Sequence, residues 1–291
     1  MKILNQKTLF VFFVPLAFCS EDEKYTFQHP FDYPEDGTEY IQKWKHEAEW
    51  SFDVPGIGHV KYVSNYIAVS QYLGQEDGFY KFKSTLTEME SENSAGNINL
   101  IDYYREAMED RPCYMYVKID GNGLIDRIVP VDPEDDYLQE AYEDAYMGLA
   151  PRNYRYPVGR LAQNISSGGS WTSSDDSLKF YVGVGSPPSR WWSRAVWHLK
   201  KVKNKKGIKT AHINAIDEIR AEMIMIIDIL GERRIISGNA TGKRNVKLLW
   251  DVENTGEISS RTNVQLQGDF EMDDKTFFSK FYFRLNTKRV K

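Results

Sequence analysis

The stretch VSQYLGQEDGFYKFKSTLTEM, residues 69–89, decides the fold. Apolar and polar side chains alternate on either side of a charged turn that closes with Gly78, and this pattern predicts a β-hairpin. The stretch HLKKVKNKKGIKTAHINAIDE, residues 198–218, has the same layout, and its turn glycine, Gly207, follows Gly78 by 129 positions. The sequence therefore contains the same hairpin pattern twice.

A second pair of stretches repeats with nearly the same spacing. YVKIDGNGLIDRIV at residues 116–129 corresponds to LWDVENTGEISSRT at residues 249–262, and Gly123 precedes Gly256 by 133 positions. Because a short loop insertion accounts for the small difference in spacing, we predict one duplicated β unit with matched glycines in equivalent turns. The first string, DGNG, resembles the start of a calcium loop, but it lacks a third oxygen ligand and the closing glutamate, so a hairpin turn is the favoured interpretation.

These patterns predict a mainly β (α+β) fold made of two repeated antiparallel curved sheets or half-barrels with one or two short helices. Apolar residues at helical spacing predict one helix over residues 98–108. Asp132 followed by Pro133 marks the start of another helix, which runs to about Met147. Residues 222–230, EMIMIIDIL, fit either a helix or a strand, and their β-branched content favours a strand.

The chain is predicted to divide into five segments according to composition and turn signals. Residues 1–19 form a signal peptide, 20–38 an extended arm, 39–150 the first β-rich repeat, 151–170 a linker and 171–291 the second β-rich repeat.

The first segment has the features of an export signal. Lys2 and Lys7 precede an apolar run, Leu9–Phe18, that is too short to span a bilayer and is typical of a signal peptide. Two processing sites compete, because cleavage could occur before Ser20 or Cys19 could become the acylated first residue of a lipoprotein. We therefore expect an exported protein, periplasmic or secreted, with lipid anchoring at Cys19 as the alternative to simple cleavage.

The two halves of the chain carry opposite charge. Residues 1–150 contain 12 Lys and Arg against 28 Asp and Glu, whereas residues 151–291 contain 25 against 14. Lysines around Gly207 predict a basic face for an anionic partner, such as an envelope or membrane surface with anionic lipid headgroups, or a polysaccharide. A solvated hairpin tip is the alternative, and nucleic acid is a poor partner for an exported chain with an acidic half. The lysines of this face are Lys200, Lys201, Lys203, Lys205, Lys206 and Lys209.

The sequence has no pattern that is typical of a catalytic or metal site. The five histidines do not fall at metal-ligand spacing, and Ser186 is followed by prolines where a nucleophile elbow needs a helix. Adjacent carboxylates such as Asp175 and Asp176 point to opposite faces of a strand and cannot act as a glycosidase pair. We predict that the protein is not an enzyme and that it uses no cofactor and no metal.

Four stretches together resemble a group of uncharacterised exported bacterial proteins, a family of unknown function built from two β-rich repeats. They are the signal at Leu9–Cys19, VKIDGNGLIDRIVPV at 117–131, the connection from Tyr156 to Trp171, and SGNATGKRNVKLLWDVENTGEISS at 237–260. The linker of that group commonly ends in Gly-Asp-Ser-Trp, whereas this chain has Gly-Gly-Ser-Trp after a longer spacer. The resemblance implies no activity. A weaker likeness is to the half-barrel carriers of envelope lipoproteins.

Three functions are consistent with this sequence. The first is an extracytoplasmic, non-catalytic binding or carrier protein for a lipid or another apolar or amphiphilic ligand, which the aromatic and methionine-bearing strands favour. The second is a cell-surface interaction or structural module that uses the charge difference between the halves. The third, and the least favoured, is a carbohydrate-active hydrolase. The sequence leaves the identity of the ligand and the oligomeric state open.

Overall fold

The structure, a computed structural model, describes residues 23–25, 27, 41–93, 112–119, 125–131, 164–180, 189–205, 207–229, 232–253 and 256–290. Within these ranges the chain forms thirteen β-strands: β1 (Lys24–Tyr25), β2 (Ile41–Val54), β3 (Gly58–Glu76), β4 (Phe79–Asn93), β5 (Pro112–Ile119), β6 (Ile125–Val131), β7 (Ile165–Ser166), β8 (Ser170–Phe180), β9 (Ser189–Lys205), β10 (Ile208–Ile229), β11 (Glu232–Asp251), β12 (Gly256–Met272) and β13 (Lys275–Val290).

Eleven of these strands form one antiparallel sheet, in the order β6-β5-β4-β3-β2-β13-β12-β11-β10-β9-β8. Strands β2 to β6 form a first meander and strands β8 to β13 a second, and the two meanders cross the sheet in the same direction. The short strands β1 and β7 pair separately. The prediction of a mainly β, antiparallel fold is confirmed.

The two sheets that the sequence predicts are joined into one. Strand β13 pairs with β2 from Phe281 opposite Phe52 to Val290 opposite Lys43. Without this pairing, both strands would be long edges with unpaired N–H and C=O groups, and such edges promote aggregation. The expectation of separate sheets is corrected accordingly.

The predicted helices at residues 98–108 and 133–147 lie outside the described residues. The stretch that fits either a helix or a strand belongs to β10, which continues to Ile229, and the preference for a strand there is confirmed. Among the described residues there is no helix with the length and hydrophobicity needed to span a bilayer.

The turn glycines of the repeated hairpins have the same conformation. Gly78, between β3 and β4, has a φ of 78°, and Gly207, between β9 and β10, has a φ of 80°. Glycine adopts this left-handed region without the steric penalty that a side chain brings, so both positions suit the tight turn of a hairpin. Gly256 begins β12, and Gly123 lies outside the described residues, between the paired strands β5 and β6.

The sheet has an inner face that is buried and an outer face that carries most of the charges. Strand β10 shows this best, because its odd-numbered residues from Ala211 to Met225 are buried while Glu218, Arg220 and Glu222 are exposed. The inner face contains two apolar clusters. The larger one extends from β3 to β10 and includes Phe52, Tyr62, Met223, Leu266 and Phe270.

The second cluster of the inner face is covered by the N-terminal arm. Phe27 is 1% exposed and stacks on Trp171 at a ring separation of 5.7 Å, and Trp171 stacks on Trp197 at 6.1 Å. Tyr25 belongs to the same cluster, and its strand β1 pairs with β7. Tyr25 and Phe27, from the described part of the arm, are therefore packed against the sheet as part of the core.

Three glycines mark places where β11 and β12 leave no room for a side chain. A Cβ atom on Gly238, Gly242 or Gly268 would lie under 3.0 Å from backbone atoms of the neighbouring strand. All three belong to the inner face. Gly242 on β11, for example, lies opposite Leu266 on β12. Glycine allows this close approach of two backbones, so the pairing of β11 and β12 depends on the absence of side chains here.

Candidate functional site

Four of the six lysines of the predicted anionic-partner face have side chains that the structure describes, and they lie on two sides of the β9–β10 hairpin. Lys200, Lys201 and Lys203 are exposed on β9, and Lys201 lies opposite His212 on the outer face. Lys209 is on β10 with the parity of the inner face, where it meets the arm. Lys206 and the side chain of Lys205 lie outside the described residues.

The pKa of His212 is sensitive to the positive charge of this hairpin. Burial lowers the pKa of His212 below its ordinary value of 6.5, and the charges of Lys201 and Lys203 lower it further. Like charges disfavour protonation of the imidazole. Among the described lysines of the predicted face, Lys200, Lys201 and Lys203 are exposed and accessible to an anionic partner.

Lys209 instead anchors the arm. Its ammonium group forms an ion pair with Glu23 and lies 5.1 Å from the ring centroid of Tyr25. Hydrogen bonds from Lys209 and from the Tyr25 hydroxyl lower the pKa of Glu23, and the same bond to Glu23 raises the pKa of Lys209. This lysine therefore has a role in packing that the sequence does not reveal.

The inner face contains a buried ion pair among its apolar side chains. Asp217 on β10 lies directly opposite Arg244 on β11, and the guanidinium of Arg244 donates hydrogen bonds to the Asp217 carboxylate. The side chain of Asp217 is 0% exposed and that of Arg244 is 11% exposed. The guanidinium also lies 5.0 Å from the ring centroid of Trp191, so the charge is held between a carboxylate and an aromatic ring.

A second polar feature crosses four strands of the inner face. Tyr66, His46, Thr287 and Ser260 are consecutive partners across β3, β2, β13 and β12. The rings of His46 and Tyr66 stack at 4.6 Å, and the Ser260 and Thr287 hydroxyl oxygens are 2.7 Å apart. The Thr287 hydroxyl also donates to Glu257 at 2.7 Å. We call these five residues the polar row.

The polar row and the Asp217–Arg244 pair were both missed by sequence reasoning. Neither feature contains a local sequence motif. Strand pairing brings most of the members together from different strands, and each one occupies a single position in a long alternating run. One feature of the sequence could have revealed them, which is a polar residue among apolar residues on the buried side of a strand. His46 lies in this way between Trp44 and Ala48, and Asp217 lies between Ala215 and Ile219. The described residues contain no cluster of His, Cys, Asp or Glu arranged to hold a metal ion.

The outer face has a broad, open groove of about 700 Å³ above β9, β10 and β11. Trp192, Arg220 and Thr241 form one cross-strand row of this groove, and Arg194, Glu218 and Lys243 form the next. The guanidinium carbon of Arg220 lies 5.8 Å from the ring centroid of Trp192. All of these side chains are exposed except Trp192, which is half-buried.

Comparison with known proteins gives no guide to function. No family model matches the chain, and no curated protein matches it. Among solved structures, the Salmonella typhi OmpF complex with daunomycin aligns over 86% of this chain and 97% of its own, at 7% identity and a TM-score of 0.22. A similarity at this level gives no basis for inferring the fold or the function of this chain.

Proposed function

We propose that this protein is an exported, non-catalytic binding or carrier protein that holds an apolar or amphiphilic ligand against the inner face of its sheet. The observation that carries the proposal is the composition of this face, which is apolar across several strands and contains two separate polar features. An amphiphile presents the same combination, a large apolar part and a small polar part.

The apolar part of the inner face suits ligands whose shape varies. Met223 and Met225 lie on it beside the aromatic group of Trp50, Phe52 and Tyr62, in which the rings of Trp50 and Tyr62 are 4.0 Å apart. Methionine side chains are flexible and polarizable, and they adapt to irregular apolar surfaces. Because these side chains are buried, a ligand would enter by displacing them, and flexible methionines would let acyl chains or ring systems of different shapes be admitted.

The polar features of the inner face supply the second half of the argument. A buried ion pair such as Asp217–Arg244 is often no more stable than a pair of apolar residues of the same volume. Its presence in an apolar face is therefore better explained by recognition than by stability. Arg244 could receive a carboxylate or phosphate of a ligand, and the hydroxyls of Ser260 and Thr287 could bind a polar group at the other feature.

We also propose where the protein is located and how its two meanders arose. Export through the signal at residues 1–19, with Cys19 as the alternative site of lipid attachment, would place the protein outside the cytoplasm, where amphiphiles move between membranes. The two meanders would descend from one duplicated half-barrel unit. This origin is supported by the matched turn glycines Gly78 and Gly207.

The test is native mass spectrometry of the protein purified from the envelope of its own cells, followed by lipid extraction of the same sample. We expect a reproducible bound mass that extraction releases as an amphiphile. The matched comparison is the double variant Asp217→Leu with Arg244→Met, which keeps the volume of the pair and removes its charges. It should fold and contain less of this ligand. A native protein without any co-purifying molecule would refute the carrier proposal.

A second candidate function, an interaction module, is favoured by one observation. Val196 and Ile216 lie opposite each other on the outer face and are 37% and 53% exposed. Adjacent exposed apolar side chains are typical of protein contacts. If this candidate is correct, Ile216→Ser will abolish the capture of an envelope partner by the immobilised protein and leave the bound mass unchanged.

A further inference from the structure

We propose that the outer-face groove binds an anionic saccharide, that is, a sugar chain carrying carboxylate, sulfate or phosphate groups. The groove lies on the face opposite the proposed inner ligand site, and its residues are distinct from the lysines of the β9–β10 hairpin. The inference therefore does not depend on the carrier proposal.

The register of three strands builds the groove. Arg220 on β10 lies opposite Trp192 on β9 and Thr241 on β11, and Glu218 on β10 lies opposite Arg194 and Lys243. Neighbouring strands are about 4.8 Å apart, so each row spans about 10 Å from β9 to β11. Side chains of one row and the next point to the same face, and together they form a grid of six side chains wide enough for a sugar ring.

The charge of this grid is strongly positive. Arg194, Arg220 and Lys243 surround a single acid, Glu218. Among the ion pairs formed within the described ranges, none involves any of these three cations. Some basic residues elsewhere on the sheet are paired with an acid, as Arg284 is with Glu49. The groove therefore offers excess positive charge to an anion, and arginine binds carboxylate, sulfate and phosphate groups well.

Trp192 adds a flat apolar surface beside these cations. Its ring is half-buried and lies 5.8 Å from the guanidinium carbon of Arg220, so its orientation is held by a cation–π contact. A fixed aromatic ring can pack against the apolar face of a sugar, and the hydroxyl of Thr241 can hydrogen-bond to sugar hydroxyls. The combination of ring, hydroxyl and cations favours a charged saccharide over a free small anion.

The proposal can be tested by isothermal titration calorimetry with a short oligogalacturonate at about 0.15 M salt, where long-range charge attraction is screened. The matched ligand is the methyl-esterified form of the same oligomer, which has the same rings without the charges. We expect binding of the acid form alone. Arg220→Gln, Lys243→Gln and Trp192→Ala should each weaken this binding by about fivefold to tenfold.

The control variant is Lys280→Gln, which removes an exposed lysine on β13 that lies outside both the groove and the β9–β10 hairpin. It should change the affinity by less than about twofold. Equal weakening by Lys280→Gln and Arg220→Gln, equal binding of the esterified oligomer, or binding only to phosphatidylglycerol vesicles would overturn the proposal, as would no binding at all. If Trp192→Ala fails to fold, the exposed Arg194→Gln replaces it.

Discussion

Asp217 and Arg244 face each other across β10 and β11 as an ion pair on the apolar inner face of the sheet. Arg244 lies two positions from Gly242, where an added Cβ would clash with the backbone of Gln265 on β12. Desolvation makes such a pair sensitive to the loss of one member, because the other charge is then left buried. This relationship links the stability of the fold to the proposed ligand site.

The first prediction concerns the loss of one member of this pair. Asp217→Asn and Arg244→Met should each lower the free energy of unfolding by about 3–5 kcal/mol, because each leaves a buried group without its partner. Urea denaturation would measure the change. The double variant Asp217→Leu with Arg244→Met should recover most of the loss. The exposed neighbour Glu218→Gln serves as the control, and single variants that cost no more than this control would contradict the prediction.

The second prediction concerns the close approach of β11 and β12 at Gly242. Gly242→Ala should lower the free energy of unfolding by about 1–3 kcal/mol or more, since the added Cβ meets the backbone of Gln265 and forces the strands apart. Thermal or urea denaturation would measure the loss. Thr241→Ser, at the exposed neighbouring position, should stay within about 0.5 kcal/mol of the native protein. A stable Gly242→Ala variant would show that the strands have room to separate.

Local patterns in the sequence predict the hairpins of this fold. Alternating side chains and turn glycines such as Gly78 and Gly207 are short-range signals, and both turns adopt the conformation that only glycine favours. The joining of the two meanders is different, because β2 and β13 pair across most of the length of the chain. The alternation within each strand identifies its buried face but not its neighbour.

For the candidate sites too, local patterns are visible in the sequence, whereas the pairing of strands is not. The groove depends on the register that sets Arg194 and Lys243 on either side of Glu218, and that register includes a β-bulge between β9 and β10 at His212. A shift of one residue would move these side chains to the other face. The positive charge of the second half of the chain is visible in the sequence, but its division between the groove, the hairpin and the arm is not.

The third prediction concerns the attachment of the arm. The pKa of Glu23 is lowered in the folded protein, so the contribution of its bond to Lys209 is present at neutral pH and is lost as the pH falls below the ordinary value of 4.5 and through the lowered pKa. After division by the intrinsic exchange rate, which itself falls with pH, hydrogen exchange of β1 should therefore become faster at acid pH. In Lys209→Gln it should be faster already at pH 7, and Lys201→Gln should behave like the native protein. Equal exchange in both variants would rule out this anchor.

The fourth prediction uses His212 to measure charge at the β9–β10 hairpin. Burial and the charges of Lys201 and Lys203 lower its pKa below 6.5, so protonation of His212 is less favourable in the folded state than in the unfolded state. Its contribution to stability is therefore complete above pH 6.5 and decreases as the pH falls from 6.5 toward the lowered pKa. The double variant Lys201→Gln with Lys203→Gln should raise the pKa of His212, as measured by NMR titration of its ring protons.

The same titration tests whether the hairpin lysines bind anions. A polyanion bound to Lys201 and Lys203 would neutralise the charges that oppose protonation, so it should raise the pKa of His212 in the native protein and leave it unchanged in the double variant. Lys280→Gln, a charge change at an exposed position of β13, is the control and should have no effect on either titration. If the double variant titrates like the native protein, burial alone sets the pKa of His212, and the lysines are too well solvated to act as an anion site.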